Sequence, residues 1–443
     1  MISRRHFMKT AGALGALGAM GGLEAQAANG YQALVCIFLA GGNDGHNTVV
    51  PITTSLQNFS LYAKSRQGLA LQQSTLLPVQ SGNDVYGLHQ QMPEIQAMYN
   101  AGNAAILANV GTLIAPTTRA QYLANPDTNM PVQLFNHADQ SSQWQSAVSD
   151  GNATGGWGGL VEDNLASYNS GAAFSPITST GGCGIFCVGQ NTFPATIPVA
   201  GASTLIGANT PGRLNAVQQL MQFDNGLKLV NAANAYLNRG IGFSKAFNAA
   251  LASANVNTPF PSTVLGQQLQ TVAKVMSIRN ALGIRRQIFF CQLGGFDTHG
   301  QQFGNQDVLL KQLSQAVYQF YLATQELGTD TSTVTFTASE FGRTLQPNAI
   351  AGTDHAWGNH HFIFGTPAAK GGPLKGGQMY GTFPLLALSG PDDADSHGTL
   401  IPTTAVSQYA STLAQWFGLP VASVPSIFKY SGNFATSNLG FLA

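Results

Sequence analysis

The chain has 443 residues, 44% of them hydrophobic but only 9% Asp, Glu, Lys or Arg, where an ordinary protein carries roughly 25% charged residues. Its 19 basic and 19 acidic side chains cancel, which excludes the clustered positive field of a nucleic-acid-binding protein and the composition of a disordered, solvating chain. The 51 glycines follow no three-residue period, so a collagen-like chain is excluded too.

The first element is an export address. Ser3-Arg4-Arg5-His6-Phe7-Met8-Lys9 has the form of a twin-arginine motif, and a weakly apolar stretch from Ala11 to Leu23 leads to Ala25-Gln26-Ala27, a small-residue cleavage site. Cleavage is expected after Ala27, giving a signal peptide over 1–27 and a single domain over 28–443. The apolar stretch is shorter than the roughly 20 residues of a membrane span. Removal of 1–27 takes away Arg4, Arg5, Lys9 and Glu24 and leaves a net charge of −2. The mature protein is therefore expected in the bacterial periplasm or outside the cell, with no stable membrane span and no nucleic-acid partner.

Further along, three apolar runs each end in a polar turn. Ala33 to Ala40 leads into Gly41-Gly42-Asn43-Asp44-Gly45, Gln287 to Leu293 into Gly294-Gly295-Phe296-Asp297-Thr298-His299, and Thr333 to Thr337 into Ala338-Ser339-Glu340-Phe341-Gly342-Arg343. Runs of this kind suit strands buried on both faces. Helical spacing over Met92–Ala101 and Val308–Leu327 alternates with them, and a strand over His361–Phe364 and a helix over Thr404–Phe417 close the chain. Strands alternating with helices predict an α/β domain with a mainly parallel sheet, whose ligands lie beyond the carboxyl ends of the strands. Between Gly171 and Pro261 the composition shifts to Gly, Ser, Thr, Asn and Pro, which reads as a cap inserted at about 171–261. Cys183 and Cys187 fall there at a spacing that a small-loop disulfide closes, as the exported compartment allows, whereas Cys36 and Cys291 read as core thiols.

Four of the nine histidines, His299, His355, His360 and His361, lie between Asp297 and His361, together with Glu340 and Asp354. Asp297 and His299, two apart on an extended strand end, point to one face, a geometry that suits two ligands on one divalent ion. A strand-end turn with a packed histidine is the competing reading for this pair, a hairpin turn for Asp44, and a local ion pair for Glu340 with Arg343. No phosphate loop, zincin or serine-hydrolase motif is present.

The motifs Ala40-Gly41-Gly42-Asn43-Asp44-Gly45, Leu88-His89, Ala108-Asn109-Val110-Gly111-Thr112-Leu113, Leu134-Phe135-Asn136-His137-Ala138-Asp139-Gln140 with Trp144-Gln145, Gly295-Phe296-Asp297-Thr298-His299, Ser339-Glu340-Phe341-Gly342-Arg343-Thr344 and Gly352-Thr353-Asp354-His355-Ala356-Trp357-Gly358 resemble, in this order, the twin-arginine-exported domain-of-unknown-function 1501 family. That family looks like a distant branch of the alkaline phosphatase and sulfatase superfamily. The resemblance implies a three-layer α/β/α sandwich with metal ligands at the strand ends. It assigns Asp44, Asp297, His299, Glu340 and His355 as ligands of a divalent metal (zinc, manganese or calcium), with Asn136, His137 and Arg343 as the catalytic set. Two positions depart from the superfamily: Phe341 stands where a histidine ligand is usual, and Asn136 where family members often carry a serine, the candidate nucleophile. Thr112, Thr117 and Thr118 are alternative hydroxyls. The expected function is metal-dependent hydrolysis of a phosphate or sulfate ester, on a small molecule or glycan. The alternative is a non-catalytic periplasmic or surface protein that binds a glycan or a protein.

Overall fold

The computed structural model describes residues 30–124, 129–182, 184–199, 210–223 and 226–443. The export segment lies outside them, as does Cys183, half of the expected disulfide. In chain order the strands are β1 (Gln32–Ala40), β2 (Val49–Thr53), β3 (Leu77–Ser81), β4 (Asp84–Leu88), β5 (Ala104–Gly111), β6 (Ile177–Ser179), β7 (Ala195–Thr196), β8 (Arg286–Gly294), β9 (Thr333–Ser339), β10 (Asn359–Phe364), β11 (Met379–Tyr380) and β12 (Thr404–Ala405). The central sheet has the order β11-β5-β10-β9-β1-β8-β6-β7, with β12 on the end of β5, and β2-β4-β3 form a small second sheet. Pairing in the central sheet is parallel except at β10, which runs against both β5 and β9. This is the expected α/β architecture with a mainly parallel sheet.

The period-2 geometry of a strand explains the layers. Along β1, Ala33, Val35, Ile37 and Leu39 belong to one apolar core, while Leu34, Cys36 and Phe38 belong to the other. Helices Val264–Ser277 and Gln302–Glu326 cover the first face, with Leu269, Val272, Leu313 and Val317 pointing inward. The second face is covered by His137–Ser146, Trp157–Asn164 and Val406–Phe417 through Trp144, Trp157, Val161, Leu413 and Phe417. Cys36 and Cys291 are buried strand thiols.

The segment expected as a cap is partly sheet. Thr178 of β6 pairs with Phe289 of β8, which places β6 and β7 on the sheet edge. The helices Pro211–Met221 and Lys228–Leu251 are mostly exposed, and Phe247 is their one buried residue among those described.

Register brings the polar turns together. Ala40 lies opposite Gly294 and Leu39 opposite Ser339, so β1, β8 and β9 end side by side. Ser339 Oγ donates to Leu39 O at 2.7 Å and accepts from Asn43 N at 2.9 Å, tying two of those ends. Two glycines allow the approach. Gly41 has φ +112°, and a Cβ there would overlap the Asp297 backbone nitrogen; Gly42 has φ +83°, and a Cβ there would enter the Phe341 ring. The chain then makes one helical turn, Gly45–Thr48, before β2, so the hairpin reading of Asn43-Asp44-Gly45 does not apply.

Asp44 caps that turn. Its Oδ1 accepts from His46 N at 3.0 Å and Asn47 N at 3.4 Å, and its Oδ2 accepts from Arg66 Nη2 and Gln302 Nε2. Arg66 is fully buried and also donates to Asn47 Oδ1, Thr344 O and Leu345 O. A charge pair taken out of water is tolerated only when its remaining donors and acceptors are met, as they are here.

Arg66→Met leaves the Asp44 carboxylate buried without its cation and is expected to cost about 3–5 kcal/mol in urea unfolding; a loss below 1 kcal/mol would show that the pair does not organise the turn. Gly41→Ala is expected to cost about 2–4 kcal/mol through backbone strain and overpacking. Gly68→Ala, where a Cβ meets nothing within 4 Å, serves as its near-neutral control.

Candidate functional site

Six of the eight residues expected at the site converge, and Asp297 is their centre. It stands in the turn after β8, held between the glycine turn after β1 and the segment after β9. Its Oδ1 is 3.2 Å from His299 Nε2 and 3.3 Å from His355 Nε2, and it accepts from Arg343 Nη2. Its Oδ2 lies 3.6 Å from His137 Nε2. His299 Nε2 and His355 Nε2 are themselves 3.0 Å apart. The sixth member, Glu340, meets His137 Nδ1 through Oε2 and accepts from Gly41 N at 3.0 Å through Oε1.

Each side chain has a local reason to be there. Beyond β9 the chain pairs with the approach to β10: Gly342 N donates to Trp357 O at 3.0 Å, Ala356 N to Gly342 O at 2.9 Å, and Arg343 bridges His355. This places the guanidinium beside the imidazole. His137 is the first residue of the helix His137–Ser146, whose N-cap is Asn136. The second nitrogens of the rings are also engaged. His299 Nδ1 is 3.0 Å from Asp354 Oδ1, and His355 Nδ1 is 2.8 Å from Phe135 O. Partners of this kind orient a ligating imidazole and raise its basicity.

Arg343 has a fully buried side chain and donates to Gly42 O at 2.9 Å, Thr353 O at 3.0 Å, Gly41 O and Asp297 Oδ1. Burial raises the Asp297 carboxyl, but the hydrogen bond and charge of Arg343, with His299 and His137, outweigh it and hold the group below the ordinary carboxylate range. Burial, with Arg343 and His137 nearby, pushes His355 down. Deprotonated Asp297 and neutral His355 are the forms that ligate a cation.

His137, Asp297 and His355 offer ligand atoms that all lie within 4.8 Å of one another. Oδ1 of Asp297 and the Nε2 atoms of His299 and His355 form a tighter triangle with edges of 3.0, 3.2 and 3.3 Å. Ligands at the usual zinc distances stand about 3.3 Å apart on a tetrahedron. These residues fit a divalent ion, with Arg343 sharing Oδ1.

Two expected members are placed elsewhere. Asp44, expected as the carboxylate ligand after the first strand, has both oxygens occupied by N–H donors of Arg66, Gln302, His46 and Asn47; its place is the turn that supports the site. Asn136, expected at the nucleophile position, uses Oδ1 to accept from Ala138 N at 2.9 Å and Asp139 N at 3.2 Å, the work of a helix cap. Of the alternative hydroxyls, Thr112 is buried and accepts from Gln140 Nε2 at 3.1 Å, Thr117 donates to Ala115 O at 3.0 Å, and Thr118 bonds Gln121. Phe341, expected to stand in a ligand position, packs its ring 4.6 Å from that of His355 and 5.0 Å from that of His137, an apolar wall on that side of the cluster. His360 and His361 are core residues: His360 Nδ1 accepts from Asn109 N at 3.1 Å, and His361 Nδ1 lies 3.3 Å from Thr337 Oγ1. No motif or spacing in the sequence marks Arg66 or Gln302. The one signal for Arg66 was the rarity of charge in this chain.

No curated protein matches the sequence. Among solved structures, the C-terminal periplasmic domain of EcEptC from Escherichia coli, in complex with Zn, aligns over 94% of this chain and 93% of its own at 9% identity and a TM-score of 0.37. A sulfatase from Pseudoalteromonas sp. aligns over 93% and 72% at 10% identity and a TM-score of 0.37. The lipoteichoic acid synthase LtaP from Listeria monocytogenes aligns over 89% and 74% at 6% identity and a TM-score of 0.35. Residues 1–21 match the signal sequence of the twin-arginine translocation pathway, so the chain is an export substrate, and no helix among the described residues is long and apolar enough to cross a membrane. Residues 31–407, which carry every member of the cluster, match the family described as "protein of unknown function (DUF1501)", and the chain belongs to that family.

Proposed function

We propose that this exported protein is a metal-dependent hydrolase acting on a phosphate or sulfate ester. The observation that carries the reading is the triangle of Asp297 Oδ1, His299 Nε2 and His355 Nε2, with edges of 3.0 to 3.3 Å, beyond the carboxyl ends of the central strands. Two imidazoles and one carboxylate favour zinc or manganese over calcium, which prefers an all-oxygen shell. A bound divalent ion supplies Lewis-acid polarisation of an ester oxygen and lowers the pKa of a water it holds.

The chain's own residues do the rest. Asp297, His299 and His355 would hold the ion, and Asp354 and the Phe135 carbonyl fix the two rings. His137, hydrogen-bonded to Glu340, sits at the edge of the cluster with a side chain 40% exposed. It can take a proton at Nε2 while Glu340 holds the other nitrogen, which is general acid–base work. Arg343 keeps Asp297 ionised and braces the turn, and with its donors spent on protein oxygens it acts as a positioning residue. Phe341 keeps one side of the cluster dry.

One observation favours a second reading, a non-catalytic binding protein on the same fold. Among the described residues no hydroxyl is hydrogen-bonded to His137, His299 or His355, so a covalent ester intermediate has no nucleophile beside these rings.

Elemental analysis of protein purified after native export decides the metal, and a screen of phosphate and sulfate esters decides catalysis. Close to one divalent ion per chain is expected. His299→Ala and Asp297→Asn should each lose it while keeping a cooperative unfolding transition, and full retention in both would overturn the assignment. Metal with no ester turnover would favour the binding protein. Because Asn136 is a cap and serine also caps, Asn136→Ser is expected to leave both stability and ester turnover unchanged. Asn136→Ala should cost about 1 kcal/mol in urea unfolding. A gain of turnover in Asn136→Ser would restore this position as that of the nucleophile.

A further inference from the structure

The opposite end of the sheet is hollowed as well. A cavity of about 340 Å³ opens between the start of β8 and the helix Lys228–Leu251, lined among others by Glu162, Asn169, Phe174, Phe193, Arg239 and Phe243. Its volume falls within the roughly 300–1,000 Å³ of small-molecule sites. Asn169 contacts Arg286 at the amino end of β8, whereas Asp297 stands beyond the carboxyl end of the same strand. A nine-residue strand, about 30 Å long, therefore separates the two places.

The floor is an unfinished hydrogen-bond network. Asn169 is fully employed: its Oδ1 accepts from Arg285 N at 2.9 Å and Arg286 N at 3.1 Å, and its Nδ2 donates to Arg286 O at 2.9 Å and Glu162 Oε2 at 3.3 Å. Glu162 is 0% exposed, and its Oε1 has no partner. Buried polar atoms are ordinarily hydrogen-bonded, so this oxygen has room for a donor from a bound molecule or a water. Burial pushes this carboxyl well above the ordinary range. The Arg286 guanidinium close by opposes an ammonium ligand in the same place.

The walls are rings and the mouth is basic. Phe174 lies 5.5 Å from Phe243, and the Arg239 guanidinium sits over Phe193 at 5.4 Å. A ligand ring carrying C–H bonds can lie against the part-exposed rings of Phe193 and Phe243, with its hydroxyls toward Glu162 and an anionic substituent toward Arg239. We propose that this cavity binds a sugar unit bearing an acidic group. The site is independent of the metal cluster and stands whether or not the hydrolase reading does.

Methyl β-D-glucuronide and methyl β-D-glucoside, titrated into the full mature protein and followed by saturation-transfer NMR, test it. Saturable binding of the glucuronide is expected, several-fold tighter than that of the glucoside. Phe243→Ala should weaken both at least tenfold. Arg239→Gln, at an exposed position, should bring the glucuronide to the level of the glucoside and leave the glucoside unchanged, and both variants should keep the metal content of the parent. Asp297→Asn should bind the glucuronide as the parent does. No saturable binding by the parent, equal binding of the two sugars, or loss of binding in Asp297→Asn with none in Arg239→Gln would each overturn the proposal.

Discussion

The site depends on one buried guanidinium. Arg343 donates to carbonyls of Gly41, Gly42 and Thr353 and to the carboxylate of Asp297, so a single side chain holds the turn after β1, the turn after β8 and the approach to β10, while its own backbone belongs to the segment after β9. A charge with no access to water is stable only if its donors are met. That requirement fixes where the three turns stand. Asp297 is the one anion in this set, and the partial charges of three carbonyls supply the rest.

The same requirement, met a second time, braces the arrangement from below. Arg66 and Asp44 form a buried pair whose remaining groups reach Asn47, Gln302 and the carbonyls of Thr344 and Leu345. Gln302 carries the connection further, because its Oε1 accepts from Thr353 Oγ1 at 2.6 Å and Thr298 Oγ1 at 3.3 Å. The segments holding Asp297, Arg343 and His355 are thus locked to the first residues of the long helix Gln302–Glu326. Rigid support of this kind keeps imidazole and carboxylate groups within ligand distance of each other.

In a chain with 9% charged residues, four ionic groups gather at the strand ends. Asp44, Asp297, Glu340 and Arg343 all stand just beyond the central strands, whose interiors are apolar on both faces. Strand ends are where backbone groups leave the ladder and where polar side chains meet without crossing the core. The cavity at the other end of β8 follows the same logic, with Asn169 bonding the first residues of the strand and Glu162 beside it.

Much of this was legible in the sequence, for identifiable reasons. The buried strands announced themselves as continuous apolar runs. The Asp297–His299 spacing marked a strand end, and order along the chain was enough to predict a parallel sheet with its polar turns on one edge. Residue type alone does not say which way a side chain is spent. Asp44 and Asn136 have the right chemistry and the right neighbours in the chain, but each sits at a helix N-terminus whose free N–H groups claim its oxygen. His360 and His361, as close in sequence to His355 as ligands often are, fall on β10 and are carried into the core by its pleat. Sequence determined the sheet, its edge and the set of candidates; the register of β1, β8 and β9, and the competition of N–H donors for each carboxylate and carboxamide, decided which of them face one another.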